Sequence, residues 1–120
     1  MNLTDAATVL PVDDVARSLD YYRDKLGFEG HAYERDPATY GYASRARCNL
    51  HFAHTPGQSA HPNGFFDVYV YVDDIDGLYD ELRARGADIL NAPVETDYGL
   101  REIRVRDPDG YVLAFGKLLA

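Results

Sequence analysis

The residues best equipped for chemistry in this chain are tyrosines, a few carboxylates, two arginines and a histidine. The 120 residues include 10 Tyr and 5 Phe but no Trp. From Phe66 to Val72 the types alternate strictly. As a strand, this stretch sets Asp67, Tyr69 and Tyr71 on one face and Phe66, Val68, Val70 and Val72 on the other. Tyrosine rings beside a carboxylate stack on a flat ligand and attract positive charge, through cation–π and charge-assisted contacts. Tyrosine is also enriched at subunit interfaces, which is the competing reading of the same residues. Glu102 and Arg104 alternate opposite the apolar Ile103 and Val105, so they share a face of their own strand. Tyr98 and Arg101 stand just before them. Tyr40 and Tyr42 also share a strand face, and the sequence leaves its direction open.

Other chemistries find little support. His51 and His54 are three apart, so on a strand they point to opposite faces and cannot grip one ion. His61 lies in a Pro/Gly-rich stretch and reads as a solvated loop residue. Ser18, Ser44 and Ser59 sit in no Gly-x-Ser-x-Gly elbow, and no glycine-rich phosphate loop is present. The set of catalytic residues is therefore empty. Cys48 is the single cysteine, which excludes an intrachain disulfide and a cysteine-rich zinc site. Arg47 beside it could lower the thiol pKa, but a lone semi-buried cysteine is ordinarily a packing residue.

With 12 Lys and Arg against 20 Asp and Glu, the net charge is -8. Such a surface repels nucleic acid and anionic membranes and draws cationic small molecules. No run approaches the ~18 apolar residues of a membrane span. Met1–Asp5 lacks the basic and apolar regions of a signal peptide, so the expectation is a cytoplasmic protein. A hydrophobic share of 46 % and a charged share of 27 % are those of a globular domain.

The elements that must position these residues come as a repeat. Val12-Asp13-Asp14-Val15 returns as Val72-Asp73-Asp74-Ile75, 60 residues on, and the match continues through Asp20/Asp80 and Arg23/Arg83. Each copy reads as a strand, an acidic helix cap, a helix and a glycine stop. The first strand is Thr8–Val12, with Pro11 marking a free edge or a local irregularity. Its helix shows one apolar face through Val15, Leu19, Tyr22 and Leu26, ending at Gly27. Strands near Thr39–Ala43 and Cys48–Ala53 follow. The second copy runs Phe66–Val72, then a helix with Ile75, Leu78, Tyr79 and Leu82 that ends at Gly86. Strands at Leu100–Val105 and Tyr111–Phe115 follow, joined by the turn Asp107-Pro108-Asp109-Gly110. His54–Gly64 and Asn91–Tyr98 read as loops. The unit is βαβββ, twice, if each copy hides one more short strand.

Two motifs carry a family resemblance. Pro11 to Tyr22 with Leu26-Gly27-Phe28, and Tyr98 to Glu102 with Arg106 to Tyr111, resemble the two ends of the vicinal oxygen chelate superfamily. That superfamily holds glyoxalase I, the bleomycin and fosfomycin resistance proteins and the extradiol dioxygenases. The resemblance implies an α+β fold of two paired βαβββ modules whose curled mixed sheets enclose a cavity, often as a homodimer. The modules fall at about 6–54 and 65–117 of a single domain over 1–120, with a linker at about 55–64. It also implies four metal-ligand positions, which map here to Ala7, His51, Asp67 and Ala114. Two of these are methyl groups, so no metal and no cofactor are expected.

The expected function is metal-free binding of an aromatic or cationic small molecule, in the manner of bleomycin resistance proteins. Its ligand-binding residues are His51, Asp67, Tyr69, Tyr71, Tyr98, Arg101, Glu102 and Arg104. The alternatives are a metal-dependent lyase, isomerase or dioxygenase with an atypical site, and an interaction module that has kept only the fold.

Overall fold

The computed structural model describes residues 1–33, 38–57 and 65–120. The loop residues Ser59 and His61, and most of the expected linker, lie outside the described residues. The chain divides into two compact units, Met1–Ser59 and Ala60–Ala120. Each is a mixed sheet with one helix.

In the first unit, β1 (Thr8–Val12) leads to α1 (Val15–Leu26), then β2 (Glu29–Ala32), β3 (Tyr40–Arg45) and β4 (Cys48–His54). The strand order is β1-β4-β3-β2, with β1 parallel to β4 and the other pairs antiparallel. The acidic pair divides its work. The Asp14 carboxylate accepts from the Arg17 N–H at 3.1 Å and caps α1. Asp13 accepts from the Gly57 N–H at 2.8 Å and ties down the chain beyond β4. Gly27, at φ 74°, takes the left-handed turn that ends the helix. Val15, Leu19, Tyr22 and Leu26 are buried as their spacing predicts. Leu10, Val12, Leu50 and Phe52 of the sheet are buried as well, and the ring centroids of Tyr22 and Phe52 lie 5.0 Å apart. Gly41 lies on the sheet face under α1, since a Cβ there would meet Val15 at 2.8 Å and Leu19 at 3.1 Å.

The second unit repeats the plan. β5 (Val68–Tyr71) leads to α2 (Ile75–Arg85), then β6 (Asp88–Ile89), β7 (Val94–Glu95), β8 (Leu100–Arg106) and β9 (Val112–Leu118). The order is β5-β9-β8-β6, with β7 also on β8. Asp74 caps α2 by accepting from the Gly77 N–H at 2.9 Å, and Gly86 at φ 80° ends it. The Asp107 carboxylate accepts from the N–H groups of Asp109 and Tyr111 at 2.9 and 3.0 Å and holds the β8–β9 turn.

The registers repeat as well. Val9 pairs with His51 in the first unit and Tyr69 with Ala114 in the second. The strands withheld by the periodicity are short: β2 and β6 are the hidden members of the two copies. The stretch Asn91–Tyr98 is not all loop, because Val94–Glu95 pairs with β8. Among the described residues the strands pair into two sheets, one in each unit. No described helix is long and apolar enough to cross a membrane.

Candidate functional site

Each sheet buries one face under its helix and leaves the other open. Cross-strand partners share a face, so the registers identify the residues on the open side. In the second unit these are Tyr69 and Tyr71 on β5, Ala114 and Gly116 on β9, and Glu102 and Arg104 on β8. Ile103 and Val105 take the helix side, fully buried.

Glu102 is the hub of the open face. It is only 2 % exposed, and a buried carboxylate must be bonded to be tolerated. Its Oε2 accepts from the Tyr98 hydroxyl at 2.7 Å and the Tyr69 hydroxyl at 2.9 Å. Its Oε1 accepts from Arg104 Nε at 3.1 Å. Burial, then the bond to Glu102, pushes the Tyr69 phenol far above the ordinary tyrosine range. The bond to Glu102 is the main cause of a rise at Tyr98. Desolvation works against the Arg104 charge, yet the bonds to Tyr98 and Glu102 outweigh it and the guanidinium is held charged.

Aromatic rings surround this hub. Tyr69 lies 5.2 Å from Tyr71 and 5.0 Å from Phe66 between ring centroids. The Arg104 guanidinium sits over the Phe66 ring at 5.3 Å. Alternation assigns Phe66 to the opposite face, but its ring lies against Tyr69. The regular strand begins only at Val68, so alternation does not extend back to it. Asp67 is exposed, and its carboxylate accepts from the Val112 N–H at 2.9 Å at the mouth of the strand pair.

Arg101 stands apart from this group. It lies on the helix side of β8, where its Nη2 donates to Asp76 at 2.9 Å. That pair holds the Asp76 carboxyl below the usual range. The residue that the sequence reading missed is Asn91, between β6 and β7. Its Oδ1 accepts from the Arg104 N–H at 3.0 Å and its Nδ2 donates to the Glu102 carbonyl at 3.2 Å. It clamps β8 where Glu102 and Arg104 project. Only its place in an Asn-Ala-Pro loop hinted at a structural duty.

The first unit has an open face of a different kind. His51, Tyr42 and His31 stand in one cross-strand row. His51 Nδ1 and the Tyr40 hydroxyl oxygen are 2.7 Å apart, a hydrogen bond whose donor depends on the tautomer. Tyr40 and Tyr42 therefore point away from α1. Cys48 lies at the start of β4, and burial, with Asp5 nearby, raises its thiol pKa rather than lowering it. It is not an activated nucleophile.

The four positions implied for a metal do not fit one. Ala7 and Ala114 offer methyl groups, and Ala114 is 0 % exposed. Asp67 is engaged by the Val112 N–H and His51 by Tyr40. Among the described residues no three His, Cys, Asp or Glu side chains converge on one point.

Residues 6–115 match the model of the Glyoxalase/Bleomycin resistance protein/Dioxygenase superfamily. The chain belongs to that superfamily. A protein of Haemophilus influenzae named lactoylglutathione lyase is 30 % identical, over 90 % of this chain and 87 % of its own length. Among solved structures, TioX from a Micromonospora species superposes with a TM-score of 0.78 at 23 % identity, covering 97 % of this chain and 99 % of its own. TnmS3, an antibiotic binding protein from a Streptomyces species, gives 0.74 at 20 % identity over 98 % and 97 %. At these identities the structural likenesses bear on the fold alone.

Proposed function

We propose that this protein binds a planar aromatic or cationic small molecule without a metal, and sequesters it rather than transforming it. The observation that carries the reading is the Glu102 hub. Its carboxylate is already satisfied by two phenols and a guanidinium, so it is spent on holding a surface in shape. What remains open to a ligand is the aromatic cluster of Phe66, Tyr69 and Tyr71, on the strand that Asp67 precedes. Such a cluster stacks on flat rings and favours positive charge. Of the two arginines near it, Arg104 is neutralised by Glu102 and Arg101 is turned to the helix side. Neither supplies the converging free cations that an anion would need. TnmS3, which shares the fold, is an antibiotic binding protein, so the fold can serve such a role.

The similarity to a lactoylglutathione lyase favours a second reading, a glyoxalase-like enzyme. The methyl groups at Ala7 and Ala114 weigh against it. We further take the protein to be cytoplasmic and homodimeric, with no membrane or nucleic-acid partner. The charge of -8 supports the last part.

Calorimetric titration with bleomycin, as a cation carrying flat rings, and with S-lactoylglutathione tests the proposal. Binding of bleomycin alone is expected. Asp67→Asn should weaken it by about 1 kcal/mol, the low end for a charge-assisted bond because Asp67 is exposed. Tight binding of the thioester, with turnover of the methylglyoxal–glutathione adduct on adding Zn²⁺ or Ni²⁺, would establish the enzyme reading instead.

A further inference from the structure

Gly116 stands in β9, between β5 and β8 in the sheet order. Glycine weakens a strand interior, so its presence there needs a reason. The reason is not a left-handed backbone, since Gly116 is absent from the positive-φ glycines. It is space. Tyr69 pairs with Ala114, yet its hydroxyl bonds Glu102, whose own partner in β9 is Gly116. The phenol therefore leans along β9 and crosses Gly116. A Cβ on Gly116 would collide with the Tyr69 hydroxyl and lie 2.9 Å from its Cζ.

We propose that Gly116 is the positioning residue of this face: its missing side chain admits Tyr69 to the centre of the sheet and onto Glu102. The inference rests on the ligand reading only for its consequence in binding. With Tyr69 laid across β9, the face presents ring planes over a satisfied carboxylate, a surface for a flat ligand. A side chain at 116 would swing the phenol outward and leave Glu102 short of one donor, a surface for a bare cation.

The test is a pH titration of tyrosine ring carbons by NMR, with Tyr69 assigned through Tyr69→Phe. In the natural protein the Tyr69 signal should hold its position while ordinary tyrosines ionise near pH ~10. In Gly116→Ala it should ionise with them, and bleomycin affinity should fall about tenfold. A Tyr69 signal unchanged by Gly116→Ala overturns the proposal. Urea midpoints guard against simple misfolding. Gly116→Ala should lower the midpoint, and should cost less when added to Tyr69→Ala, because the collision with the phenol is then gone and only the contact with Leu100 Cδ2, at 2.9 Å, is left. An equal loss in both backgrounds also overturns it. Release of Tyr69 with bleomycin affinity unchanged would uphold the role of Gly116 and sink the ligand reading of the face.

Discussion

A single carboxylate, Glu102, organises the second unit's open face, and the phenol of Tyr69 reports on it. The pKa of Tyr69 is raised by burial and by the bond to Glu102. Its protonated form is thus the one the fold favours. That contribution is complete below the free phenol value of about 10 and is lost as pH rises through the higher folded value. Chemical denaturation across pH 8 to 12 should therefore show the natural protein losing stability above about pH 10 more steeply than Tyr69→Phe. The gap between them should be widest below that pH and should narrow above it. A constant gap would mean that the phenol is not held protonated by the fold. Tyr98 shifts in the same direction for a related cause, so the residual slope in Tyr69→Phe belongs partly to it.

At the scale of elements, the two helices are built to one plan. Each begins at the second aspartate of the pair and ends at a left-handed glycine. Asp14→Ala and Asp74→Ala should each cost about 1 kcal/mol, the usual worth of an N-cap. The caps sit on different helices in different units, so the double variant should lose close to the sum. Urea unfolding of the two single variants and the double checks this. A loss confined to one helix would show that the other draws its start from packing. The sheets follow one plan less strictly. β6 and β7 both pair with the same edge of β8, and Asn91 bridges the gap between them. The hairpin that β7 makes with β8 is what brings Tyr98 over Glu102.

For the whole molecule, the proposal of a homodimer carries its own check. β1 is an edge strand of its sheet, and Pro11 within it limits open-ended strand pairing. Exposed apolar side chains gather on the open faces: Tyr42 in the first unit, and Tyr71, at 68 % exposed, with Val94 in the second. A contiguous apolar patch on such a face marks an interaction site. Light scattering at micromolar concentration should give twice the chain mass. A monomer at that concentration would leave a ligand as the sole occupant of these faces.

What the sequence by itself determined is the part governed by local rules. Helix faces follow from spacing, caps from the acidic pairs, stops from glycines, and the doubled plan from the repeat at 60 residues. These depend on neighbours within one or two turns of chain, so they survive without tertiary knowledge. That Tyr69 and Tyr71 share a face, and that Glu102 and Arg104 share one, was legible for the same reason, since alternation along a strand is local. Three matters were decided only by the tertiary structure. Phe66 joined the aromatic cluster because the strand starts late. Arg101 turned to Asp76 because α2 lies across that side of β8. Asn91 and the two-residue β7 acquired their roles from an edge of β8 formed far along the chain. Each depends on which strand lies beside which, and no periodicity within a segment encodes the identity of its neighbour.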